Sequence, residues 1–107
     1  KGAVDLGLTE TEFAFHNILV SELARITDND EIDESVHKEV LQVTAKLVEM
    51  IDGASQIVDF FDKHDEVKRV QLGIKRELME CSFGDDGKLR SAVITGFMDL
   101  AKVKFRQ

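Results

Sequence analysis

Several groups of acidic, basic and imidazole side chains in this 107-residue chain fall near the spacings of known chemical sites. Asp28, Asp30 and Glu39 stand at the first, third and twelfth positions of a calcium loop. The fifth position would be Ile32, which has no side-chain oxygen, and the sixth Asp33, where the sharp turn needs glycine. Gly84-Asp85-Asp86-Gly87-Lys88 is two residues short of the Gly–Gly spacing of a phosphate loop, and it sets carboxylates where phosphate would lie. A turn with a helix N-cap accounts for it better. His16, His37 and His64 are expected on separate elements, too few and too scattered to make a zinc site with one cysteine. Glu66-Val67-Lys68 and Asp86-Gly87-Lys88 match the acidic-x-Lys tail of a nuclease site, but that chemistry needs a strand context that is missing here. The expectation is a chain with no catalytic, metal or cofactor site of its own.

Four basic residues are the remaining candidates. Lys68 and Lys75 are seven apart, as are Arg69 and Arg76, so a helix gathers all four on one flank. Either they form a solvated face paired with Asp65, Glu66 and Glu77, or they meet an acidic partner surface or a phosphate backbone.

The elements that would position them follow from periodicity. Thr9-Glu10-Thr11-Glu12 is a capping box, with Leu8 placed to staple onto Phe13. Phe15, Leu19, Leu23 and Ile26, with Ile18 beside them, form one face of a first helix ending near Ile26. After an acidic loop in which Asp30, Asp33 and Ser35 are all plausible caps, Val36, Val40, Val43, Leu47 and Met50 mark a second helix, about 34–52. Gly53 is expected to end it in a left-handed cap. The aromatic stretch 55–62 is read as a linker or helical turn plugging Phe60 into the core, because a single strand would have nothing to pair with. Val67, Val70, Ile74, Leu78 and Cys81 define a third helix, about 63–81, with Cys81 read as a buried small hydrophobe and Gly73 marking a close crossing. Leu89, Val93, Gly96, Leu100 and Val103, flanked by Ala92, Phe97 and Ala101, define a fourth, about 86–104.

The expected fold is all-α, a small bundle of four main helices plus the short aromatic linker, in one domain spanning 1–107. Apolar residues make up 43% and charged residues 33%, which excludes a disordered tail. No run approaches the roughly 18 apolar residues of a membrane span, and one cysteine fits a reducing compartment, so a cytoplasmic location is expected. The net charge of −7 is uneven. Residues 1–53 hold 4 Lys/Arg against 12 Asp/Glu, and residues 54–107 hold 10 against 9. The acidic first half argues against wrapping DNA on that side.

Four short segments resemble a known family. They are Leu8-Thr9-Glu10-Thr11-Glu12-Phe13-Ala14-Phe15, Leu47-Val48-Glu49, Val58-Asp59-Phe60 and, after an interval of fourteen residues, Lys75-Arg76-x-Leu78. Together the chain resembles the C-terminal helical domain of the R (motor and endonuclease) subunit of type I restriction–modification enzymes. Phe60 stands where that family usually has Trp, and Ser82-Phe83-Gly84-Asp85 replaces a Tyr-Pro-Pro segment. The resemblance implies a parent polypeptide with a nuclease domain and motor domains using ATP and magnesium, none of whose sites lies in these residues. Its C-terminal domain is implied to dock the motor onto the methyltransferase core. In that reading Phe60 is the core anchor, and Lys68, Arg69, Lys75 and Arg76 present charge outward. The alternatives are an auxiliary contact to the DNA backbone through the basic flank, or a free-standing helical regulatory protein.

Overall fold

A computed structural model describes residues 6–27 and 33–105. Asp28 and Asp30, of the rejected calcium loop and its neighbouring caps, lie outside them. The four expected helices are present: α1 (Glu10–Thr27), α2 (Glu34–Ser55), α3 (His64–Met79) and α4 (Gly87–Phe105), with a 3-10 turn at Phe60–Asp62. No strand occurs among the described residues. The radius of gyration is 13.4 Å, close to the value of about 13 Å for a folded chain of this length.

The start of α1 is closed by the capping box. The Thr9 backbone N–H donates to Glu12 Oε1 at 2.9 Å and the Glu12 N–H donates to Thr9 Oγ1 at 3.1 Å. Two of the helix's otherwise unpaired donors are thereby satisfied. Asp33 occupies the N-cap of α2 without bonding its backbone, accepting instead from Ser35 Oγ at 2.8 Å. At α4 the Asp86 carboxylate accepts from the N–H groups of Lys88 and Leu89. The Gly84–Lys88 stretch is thus a capped turn.

Two stripes differ from their sequence reading. Gly53 does not end α2; it is helical, and the helix runs on to Ser55. There the Asp52 carbonyl accepts from Ser55 Oγ and Gln56 Nε2, which satisfies the last turn without a left-handed residue. In α4 the buried set is Leu89, Val93, Phe97, Met98 and Ala101, while Val103 is 77% exposed. The buried line runs in four-residue steps through Leu89, Val93, Phe97 and Ala101, turning the core-facing side by about 40° per step away from the side that carries Val103.

The core is shared by all four helices: Phe15 and Leu19 from α1, Val40, Leu47 and Ile51 from α2, Ile74 and Leu78 from α3, and Val93 and Phe97 from α4. Phe15 meets Phe97 edge to face, 4.9 Å between centroids, a favoured arrangement for aromatic pairs. The linker behaves as its aromatics suggested. Asp59 adopts a left-handed conformation (φ 56°, ψ 34°), one that Asp tolerates better than most residues, and Phe60 beyond it is 2% exposed. Gly73 does mark a close crossing, since a Cβ there would sit 2.8 Å from Met50 Sδ on α2. Gly84 is more constrained: a Cβ would lie 1.6 Å from the Leu78 carbonyl oxygen, so the turn after α3 admits only glycine.

Candidate docking surface

α3 is strongly two-faced. Val70, Ile74 and Leu78 are buried, and Lys68, Arg69, Lys75 and Arg76 are all exposed, as the spacing required. The four cations do not act as one cluster. Arg69 reaches Glu66 Oε1 at 3.7 Å, whereas Lys68, Lys75 and Arg76 form no ion pair among the described residues. Glu77 is drawn away to α2, where Lys46 Nζ lies 3.0 Å from its Oε1. Of the three expected acidic partners, therefore, one ion pair forms on the flank, and Glu77 ties two helices together instead.

Lys68 and Lys75 have a different setting from the arginines. Together with Gln71, Leu72, Ser91, Ile94 and Thr95 they line a groove of about 280 Å³ between α3 and α4. Leu72 is 50% exposed and Met79, further along the same stripe, is 52% exposed. Lys68, Leu72, Lys75 and Met79 follow one another at intervals of four, three and four, the spacing of residues on one side of a helix. A line of cation, apolar, cation, apolar side chains thus faces solvent. Sequence reasoning found the lysines but passed over Leu72 and Met79, although the same spacing contains them.

A smaller opening of about 100 Å³ lies at the linker, where Ile57, Val58, Phe61 and Phe105 meet the polar side chains of Ser55, Asp59 and Asp62. Val58 is 70% exposed there, so the Val58-Asp59-Phe60 segment sends one apolar side chain out and the next into the core.

The remaining sequence candidates are accounted for structurally. Glu39 accepts from both the N–H and the hydroxyl of Ser82, clasping the α3–α4 turn to α2, and these bonds hold its carboxyl below the usual range. Cys81, read as a buried small hydrophobe, is half-buried and packs against the edge of the core. Burial first, then the carboxylates of Glu39, Glu77 and Glu80, push its thiol up to about 11, leaving it protonated and unreactive at neutral pH. His16 and His37, expected apart, are brought together across α1 and α2 with ring centroids 5.7 Å apart. His16 is 5% exposed, stacks on Phe13, and leaves Nε2 without a partner. No group of three or more His, Cys, Asp or Glu that could hold a metal occurs among the described residues. Nor is any helix among them long and apolar enough to cross a membrane.

No protein-family model, curated protein or solved structure matches this chain. The fold and its surfaces define an all-α four-helix bundle with a basic, partly apolar face on α3.

Proposed function

We propose that this chain is a non-catalytic docking domain that holds the motor and endonuclease subunit of a cytoplasmic type I restriction enzyme on its methyltransferase core. The observation that carries the reading is the outward stripe of α3. Leu72 and Met79 are about half exposed, alternating with Lys68 and Lys75, on a helix whose opposite side is sealed into the core by Val70, Ile74 and Leu78. A rigid helix with apolar anchors flanked by charge suits recognition of another protein. The choice of family is supported by the resemblance of the short motifs around Thr9, Leu47, Val58 and Lys75. In this reading ATP and magnesium serve other domains of the parent chain, and this one acts by holding it in place.

The test is capture of methyltransferase subunits by the immobilised chain. Lys75→Glu combined with Arg76→Glu is expected to preserve the helical circular dichroism and weaken capture. Undiminished capture would remove both residues from the contact, and absence of capture by the unaltered chain would refute the assignment.

A second reading, contact with DNA backbone, is favoured by the lack of ion-pair partners for Lys68, Lys75 and Arg76 among the described residues. It requires binding to duplex DNA that falls steeply with added salt. A flat gel-shift at low salt removes it.

A further inference from the structure

The α3–α4 groove has properties that a phosphate backbone would leave unused. Its lining includes Leu72 and Ile94, and the stripe continues to Met79, so covering it removes apolar side chains from water. Leu72 and Met79 are seven residues apart, about 10 Å along the helix. That is the interval between apolar residues seven apart on a second helix laid alongside. Lys68 and Lys75 stand on the groove at the same interval and form no ion pair among the described residues. No strand edge is present among the described residues to recruit an extended peptide.

We infer that the groove between α3 and α4 accepts an acidic amphipathic helix of a partner polypeptide, with apolar side chains against Leu72, Ile94 and Met79 and carboxylates opposite Lys68 and Lys75. The inference rests on the docking reading and names the chemistry of what docks. Charge complementarity selects the occupant. Lys68 and Lys75 line the groove and form no ion pair among the described residues, so a basic helix meets like charge on this face while the carboxylates of an acidic one find cations to pair with.

Fluorescence anisotropy with the whole chain tests it, using a labelled helical peptide of leucine and alanine flanked by glutamate. The same peptide with lysine for glutamate, and a short DNA duplex, serve as comparison probes. The acidic peptide is expected to bind about tenfold or more tightly than the basic one, and Leu72→Ser or Lys68→Glu with Lys75→Glu should each weaken it by a similar factor. Both variants alter exposed side chains, and circular dichroism verifies that they remain folded. Equal binding of the two peptides, or acidic-peptide binding indifferent to Leu72→Ser, overturns the inference. So does tighter binding of the duplex than of the acidic peptide. A dimer of the chain that Leu72→Ser dissociates also overturns it, because a second copy would then cover the groove. If methyltransferase is captured but the acidic peptide is not bound, the groove inference alone fails. If the peptide binds and methyltransferase is not captured, the proposed assembly fails while the groove's chemistry stands.

Discussion

Burying an imidazole with one nitrogen unpartnered favours its neutral form. His16 meets that condition, and its pKa is lowered from the usual histidine value by burial first; the bond to Asn17 opposes the shift and His37 adds to it. With the folded-state value below the unfolded one, the neutral ring stabilises the fold fully above about pH 6.5. That contribution is lost as pH falls below the unfolded value and through the folded one. The urea midpoint of the chain should therefore drop on acidification from neutral pH, and His16→Phe should flatten the drop. An unchanged acid slope in His16→Phe would place the titration elsewhere. That His16 and His37 belong to separate elements was read from the sequence. Their approach to each other was not, since the two rings meet only through the packing of α1 on α2.

At the scale of elements, helix starts were the most legible feature, because their chemistry is local. Thr9 and Glu12 close a reciprocal pair within one turn, and the pattern of residue types alone specifies it. Thr9→Ala should cost about 1 kcal/mol, lowering the melting temperature by about 4–8 °C. Differential scanning calorimetry reads both, and an unchanged melting temperature would show the box to be energetically idle. Helix ends were less legible. Gly53 offered a left-handed stop, but Ser55 and Gln56 satisfy the Asp52 carbonyl from a continuing helix, so no such stop is needed. The clasp of Glu39 on Ser82 joins residues 43 apart, and no local pattern signals it.

For the molecule as a whole, stability depends on a core to which α1, α2, α3, α4 and the linker all contribute. Phe60 is the linker's share, and its burial was legible from an aromatic run too short and isolated to be a strand. Phe60→Ala should cost about 3–5 kcal/mol, a large part of the roughly 5–15 kcal/mol of a typical domain. Chemical denaturation should show one cooperative transition at a much lower midpoint. Survival of the original midpoint would mean that the linker is not part of the shared core. By contrast Val58, two residues earlier, contributes little to that core.

The amino-acid sequence by itself determined four amphipathic helices, the capped start of α1, the burial of Phe60 and the outward placement of the α3 cations. Each depends on interactions within a few residues or on which face of a helix is apolar. Only the tertiary structure decided that Lys68 and Lys75 share a groove with Ile94 of α4 and that Glu77 is taken by Lys46 of α2. Those outcomes turn on the distances and rotations between helices. The packing of large side chains across the whole core sets these, and periodicity along a single helix does not encode them.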